Sequence, residues 1–472
     1  MAAPGKRGLE TAEDVPAKLS ALNVAKIKLS SFLQWCKERK FNVSPKVCVE
    51  RERACAQYGM VVTEDIPGGE VLFCIPRPFL LSPETSTIAH ILQQAQKEMG
   101  DEAGWVPLLL ALVYEYNNSQ SPWRPYLDLV PDFSQLDLPM FWTSEERDTL
   151  LKGTGVEEAV TRDLTMMETD FNTKALTFMQ QHTDTFSPAC QSFELYKKMV
   201  AFVMAYSFTE PAGKARGADG KGDGNEEDSD DENEGSSPPP MMVPLADILN
   251  HVAKNNAQLT FHEEALLMVS TRNIKKGEEV FNTYGEVANK HLLHMYGFAE
   301  RYPANHYDTV DIPVSVVTSA AQSEMGEPEL MAAKLNFLQE QDLHQEGESY
   351  VLGMEGILTD DEMQAVLKVL VMSAEEFKEH TEKEGWSDAE SDENDDGSSP
   401  LSFEKIPNLH SCWKRILSRC AEVCLSQIGG DEKKDTSAME SGETQLSSRA
   451  RYALYVRYGQ RKLLHKLVQA CR

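Results

Sequence analysis

Asp247-Ile248-Leu249-Asn250-His251 and, further along, Phe281-Asn282-Thr283-Tyr284-Gly285, followed by Tyr296-Gly297-Phe298, are the stretches on which the reading of this chain turns. Each is ordinary alone. A Tyr before a Gly is in most proteins a surface turn, because glycine lets the backbone bend sharply. An isolated Asn-His pair is a helix cap or a pair that binds nothing. Asp247 and His251 stand four apart, a spacing compatible with two metal ligands, but no third ligand is placed beside them. Tyr284 follows the run VFNTY, where a phenol at the end of a strand offers a hydrogen-bond donor, an acceptor and a ring face for a cation.

Working outward, MMVPLADIL, NAQLTFHEE and ALLMVSTRNI carry β character, with KKGEE as the turn before VFNTYG. Far upstream, VCVE, YGMVVTEDI and PGGEVLFCIP read the same way, split by Pro67-Gly68-Gly69, and predict a small antiparallel β unit. Between these β regions, residues 86–210 have helical periodicity in WVPLLLALVYEY, VEEAVTRDLTMMETDF and SFELYKKMVAFVMAYSF, with Ser144 expected to cap a helix ahead of Glu145 and Glu146. Leu29, Phe32, Leu33 and Cys36 predict one amphipathic helix near residues 24–39. Residues 211–240 collapse into Gly, Asp, Glu, Ser and Pro, from which no core can form, so a disordered acidic loop is expected there. From Asp308 onward the pattern is mainly helical, broken by a second acidic tract at 388–396. It ends in a basic helix from Arg449 to Arg472, whose charges read as a solvated face.

Composition narrows the functional classes. The 472 residues exceed one ordinary core and predict two or three folded units. The 41% hydrophobic and 26% charged residues exclude wholesale disorder. A net charge of −29 argues against direct nucleic-acid binding, which needs clustered Lys and Arg, and suits a cationic protein partner. The nine cysteines contain no CxxC pair, so their spacing writes neither a zinc site nor a disulfide framework; Cys420 and Cys424 read as packing residues on a helix. No apolar run approaches the roughly 20 residues of a membrane helix. A soluble protein of a reducing compartment, nuclear and possibly also cytosolic, is expected.

Taken together, the Asp-to-His stretch, VFNTYG, Tyr296-Gly297-Phe298 and Tyr58-Gly59 resemble the signature segments of the SET-domain methyltransferases, in the branch typified by the Rubisco large-subunit methyltransferase. The runs GWVPLLLAL, WRPY, PMFW, LLKGTGV and VMAYSF extend that resemblance over most of the chain. It implies an α+β fold: residues 1–23 as a polar N-terminal segment, 24–308 as a SET domain of small antiparallel sheets with a helical insertion at 86–210, and 309–472 as an all-α substrate-binding domain. The cysteine-rich zinc segment that ends histone-type SET enzymes is absent from the sequence, in keeping with this branch.

The resemblance implies a protein-lysine N-methyltransferase that uses S-adenosylmethionine. Tyr284 is then the catalytic residue. The backbone of Ala56, Gln57 and Tyr58 would run along the cofactor, with Asn250 at its amino-acid portion, the His251 backbone near the adenine, Tyr206 beside the carboxylate, and Tyr296 stacking near the adenine or closing the pocket. Relatives often carry Arg at the Tyr206 position. Trp105, Ser207, Phe208, Thr209, Asp247 and Tyr284 would face the substrate. A histidine-methylating relative has Asn and Trp where this chain has Phe208 and Ala246, and an apolar Phe208 suits the aliphatic stem of lysine. The implied partner is a protein with a target lysine, a transcription regulator or chromatin protein; monomethylation of a RelA-type NF-κB subunit, with a histone variant as a further substrate, is the specific expectation. The competing readings are a catalytically silent SET-fold scaffold, to which the departure at Tyr206 points, and a protein histidine N-methyltransferase.

Overall fold

The computed structural model describes residues 14–129, 136–211, 238–382, 401–442 and 445–472, with side chains from residue 23 onward except that of residue 101. Most of the acidic loop at 211–240 and the whole acidic tract at 388–396 lie outside these residues. The chain divides into two compact units, one formed by the segment up to Leu136 with Thr165–Tyr284, the other by Asp137–Leu164 with Gly285–Arg472. The second unit thus takes a piece of the expected helical insertion, and it begins upstream of the expected boundary at 308.

Among its described residues the first unit contains ten short strands: β1 (Asn42–Val43), β2 (Val47–Glu50), β3 (Gly59–Val62), β4 (Val71–Pro76), β5 (Ser207–Phe208), β6 (Met241–Met242), β7 (Asn250–His251), β8 (Ala257–Phe261), β9 (Ala265–Ser270) and β10 (Glu279–Asn282). They form sheets in the orders β1-β4-β9-β8 and β2-β3-β10-β7, plus the pair β5-β6. The N-terminal β segments are therefore not one meander. β3 and β4 enter different sheets, because each finds its neighbour among strands from beyond the helical insertion: β4 pairs with β9, and β3 with β10. Among these strands the pairings are antiparallel except β10 with β7, where Phe281 lies opposite Asn250 and Asn282 opposite His251. A parallel pair needs a crossover rather than a tight turn; here β8 and β9 occupy the intervening chain as a hairpin of their own.

The N-terminal helix runs Asp14–Glu38, beginning earlier than periodicity places it. Its buried stripe is Ala25, Phe32, Trp35 and Cys36, whereas Leu33 is 38% exposed. Trp35 displaces Leu33 from that face because its ring packs against Phe32, Phe41 and Trp123, and its indole N–H reaches the Pro122 carbonyl at 2.8 Å. The helix Val106–Asn117 is buried on all sides from Val106 to Val113, as a central helix must be. Glu115 on it is fully buried, and its charge is satisfied by the Ser86, Thr87 and Ser121 hydroxyls and the Thr87 amide.

The second unit is mainly helical, with one addition to the all-α expectation: β11 (Val310–Pro313) and β12 (Ser349–Leu352) form a two-stranded antiparallel sheet. Val310, Ile312, Tyr350 and Leu352 face the helical core, so the alternation that marks them as strands spans too few residues to stand out in the sequence. Cys420 and Cys424 are buried in that core. Thr143, not Ser144, caps the helix Ser144–Leu150, in a reciprocal pair with Glu146.

The C-terminal helix, Ser448–Ala470, corrects a further expectation. Arg457 and Arg461 are not on a solvated face; they are 6% and 4% exposed. Arg457 makes a two-pronged pair with Asp435 at 3.0 and 2.9 Å, and Arg461 meets the same carboxylate at 2.6 Å while donating to the Gly429 carbonyl at 2.6 Å. One carboxylate thus holds two guanidinium groups out of water. Asp435→Ala leaves both unpaired, and breaking a buried pair in this way costs about 3–5 kcal/mol. Chemical denaturation of the full chain should show a loss of that size, whereas Lys433→Ala, at an exposed position on the same short helix, should change stability by less than about 0.5 kcal/mol.

Candidate active site

The site grows out of the parallel pair β7–β10. Leu245, just upstream, has φ of +83°, a conformation that a branched side chain rarely adopts. Burial of the side chains of Leu245, Ala246 and Leu249 keeps it there. The bend carries the chain through the turn Ala246–Ile248 into β7, where pairing with β10 brings His251 beside Tyr284, two residues past the strand end.

Tyr284 is held at both its backbone and its phenol. Its backbone N–H donates to His251 Nδ1 at 2.9 Å, and its phenol O–H donates to the Leu249 carbonyl at 2.9 Å. The two rings stack at 5.1 Å with 28° between planes. Because Nδ1 accepts, the neutral imidazole carries its proton on Nε2. Burial pushes the His251 pKa down to about 4, so the ring is neutral at physiological pH and the contact with Tyr284 is intact.

Asn250 faces the loop that joins β2 to β3. Its amide donates to the Tyr58 carbonyl at 2.9 Å and to Glu279 Oε1 at 2.7 Å, while Glu279 Oε2 accepts from the Cys55 amide at 2.8 Å. The structure thus brings Ala56, Gln57 and Tyr58 together with Asn250, and Arg51 adds its guanidinium over the Tyr58 ring at 4.9 Å and a bond to the Gln57 carbonyl at 3.0 Å. Asn256, buried, accepts from the Phe281 amide at 2.7 Å and donates to the Glu279 carbonyl at 2.9 Å, holding β10 from its other side.

Asp247 is buried inside the unit, where its Oδ2 accepts from the Tyr126 hydroxyl at 2.6 Å. It does not line an open peptide surface, and it lies on a tight turn rather than on a helix shared with His251. Burial raises its pKa from the usual 3.8 to about 7, against the opposing pull of the Tyr126 hydroxyl. Tyr206 ends the helix Phe193–Tyr206, its ring 5.4 Å from Phe202. Ser207 and Phe208 pair with Met242 and Met241, and Thr209 follows them, exposed. Trp105 is exposed at the start of its helix. Tyr296 belongs to the second unit, in the π-helical turn Leu292–Tyr296, with His291 and Phe298 as ring neighbours.

Sequence reasoning passes over Glu279, Tyr126 and Asn256. Glu279 sits in KKGEE, which reads as a charged turn; the signal that marks it is its place as the first residue of a strand with a buried side chain, which only pairing with β3 reveals.

Comparison with known proteins fits this geometry. The SET domain family model matches residues 57–285, and the model described as Rubisco LSMT substrate-binding matches residues 327–464. Over 447 residues the chain is 45% identical to the N-lysine methyltransferase setd6 of Salmo salar, covering 93% of this chain and 96% of that protein. The chain belongs to the SETD6 family of SET-domain N-lysine methyltransferases. The family member of Homo sapiens is 40% identical, covering 93% of this chain and 95% of that one. A structure of Rubisco LSMT bound to AdoMet shares the SETD6-family fold with a TM-score of 0.61 at 16% identity, over 94% of this chain and 91% of that one. The SET domain of LSMT bound to lysine and AdoHcy superposes with the same score at 15% identity over the same shares. The chain is thus an enzyme, a protein-lysine N-methyltransferase.

Both perturbed groups yield pH signatures. The folded pKa of His251 lies below its ordinary 6.5, so its contribution to stability is full above pH 6.5 and is lost as pH falls toward about 4. His251→Gln should therefore flatten the acid-side fall of the thermal midpoint between those values. Asp247 is shifted the opposite way: its folded pKa is raised, so stability present below pH 3.8 is lost as pH rises through about 7. Asp247→Asn keeps an acceptor for Tyr126 and removes the titration. Its thermal midpoint relative to the unsubstituted protein should rise as pH goes from 3.8 to about 7 and level off above that, as scanning calorimetry would show.

Proposed function

We propose that Tyr284, with Asn250 and His251, forms the reacting centre for methyl transfer to a lysine side chain, and that the protein substrate is a non-histone transcription regulator of the RelA type, monomethylated in the nucleus. S-adenosylmethionine supplies the electrophilic methyl group. The observation that carries the reading is the position of the Tyr284 phenol: its proton is committed to the Leu249 carbonyl, so toward a ligand its oxygen acts as an acceptor.

Chemistry follows from that commitment. A lysine amine has a pKa near 10.4 and reacts only once it has lost its proton. An oxygen that accepts orients the remaining N–H bonds and leaves the nitrogen lone pair directed elsewhere, toward the methyl donor. A phenol that donated to the amine would occupy that lone pair and block transfer. Leu249 thereby sets the polarity of the site through its backbone, and His251 fixes the residue from the opposite end by accepting the Tyr284 amide proton.

The donor set suits the cofactor. Both amide hydrogens of Asn250 are taken by Tyr58 and Glu279, so the carboxamide oxygen is the group it keeps for a ligand, an acceptor matched to the ammonium of the cofactor's amino-acid arm. The backbone of Ala56 and Gln57, on an irregular loop, offers further amides and carbonyls. The acidic composition favours a target lysine set among basic residues, which long-range attraction would concentrate near the enzyme. A transcription-regulator substrate and a nuclear location complete the proposal, as the sequence resemblance implies them.

Tyr284→Phe removes the accepting oxygen and the tie to Leu249 while keeping the ring. Turnover measured with isotopically labelled cofactor and a RelA-type substrate should fall on the order of 100-fold, as for loss of a positioned group acting in the transition state. Unchanged turnover would remove Tyr284 from the centre. Mass spectrometry of the product should show a single added methyl on lysine.

A further inference from the structure

The geometry points to Glu279 as a positioning residue that sets which face of the Asn250 carboxamide meets the cofactor. The inference rests on the reading that Asn250 holds the cofactor's amino-acid arm. Glu279 opens β10 and is 9% exposed. Its two oxygens have separate tasks: Oε1 accepts from the Asn250 amide at 2.7 Å, and Oε2 accepts from the Cys55 backbone N–H at 2.8 Å. One carboxylate thus joins β10, β7 and the loop that carries Ala56, Gln57 and Tyr58.

An Asn side chain has two nearly isosteric faces, and only its partners decide which is presented. The Tyr58 carbonyl could be met in one orientation alone, but a single bond near the protein surface holds a carboxamide weakly. A second acceptor, charged and buried, makes the alternative costly, since flipping Asn250 would set its oxygen against both a carboxylate and a carbonyl. Among the described residues no donor is placed at Asn250 Oδ1. That oxygen is therefore held, oriented and unspent, for an ammonium group.

Gly59 supports the same reading from the steric side. A Cβ built there would lie 2.3 Å from Glu279 Oε1 and 2.7 Å from the Ala54 Cβ, distances that real side chains do not tolerate. Glycine at 59 leaves room for the carboxylate to reach between β3 and β7. Adding one methyl at this position displaces the acceptor without changing any charge.

The test is titration calorimetry on the full-length protein with two ligands: S-adenosylmethionine, and 5′-methylthioadenosine, which keeps the adenosine and sulfur but lacks the amino-acid arm. Glu279→Gln places an NH₂ against a donor, so the expected result is a Kd for S-adenosylmethionine weakened about tenfold, the scale of a lost charged hydrogen bond, with 5′-methylthioadenosine changed less than about twofold. Gly59→Ala should give the same selective loss with the charge retained. Equal weakening of both ligands in the two variants, or no weakening of either, overturns the assignment and leaves Glu279 a structural tie. Asn250→Ala, titrated alongside, separates the layers of the argument. If it spares S-adenosylmethionine binding, the reading of Asn250 itself has failed; if it weakens binding while Glu279→Gln does not, the role of Glu279 alone falls.

Discussion

The parallel pairing of Asn250-His251 with Phe281-Asn282 is the constraint on which the rest of the site depends. Two residues on each strand make few hydrogen bonds, and a parallel pair is no stronger per residue than an antiparallel one. This contact persists because polar side chains reinforce it from both flanks: Asn256 caps the Phe281 amide and the Glu279 carbonyl, and His251 accepts the Tyr284 amide. Without it Tyr284 would be an aromatic residue in a loop after a strand.

Burial gives these small contacts their weight. Each buried polar group left unsatisfied would cost on the order of 1–3 kcal/mol, so a register slip that broke the set would meet several such penalties together. The same burial makes the imidazole of His251 a neutral acceptor at physiological pH. The orientation of the phenol follows, since the Leu249 carbonyl is the acceptor that β7 brings within reach. A site of this kind is organised by backbone groups as much as by side chains.

The second unit solves a different problem by related means. It packs helices and a two-stranded sheet around an apolar core, yet its last helix turns two arginines inward onto Asp435 and the carbonyls that follow the helix Ser411–Gln427. Guanidinium groups with planar, multiple donors can bridge a carboxylate and backbone oxygens at once, which lysines in the same places could not. The arrangement ties the C-terminal helix to the glycine-containing loop at residues 428–430, whose carbonyls the Arg461 guanidinium meets.

Hydrophobic periodicity and turn chemistry were enough to mark the β-rich segments, the helical stretch between them and the helical C-terminal half, because those signals are local and repeat along the chain. The segment Asp247–His251 and Tyr284 were legible as a pair only through resemblance to a family, since nothing local links residues so far apart. Strand partners, the inward turn of Arg457 and Arg461, the exchange of Leu33 for Trp35 on the first helix, and the place of Glu279 were settled by tertiary structure alone. In each case the deciding quantity is which group finds a partner once water is excluded, and a linear pattern of polar and apolar residues does not carry that information.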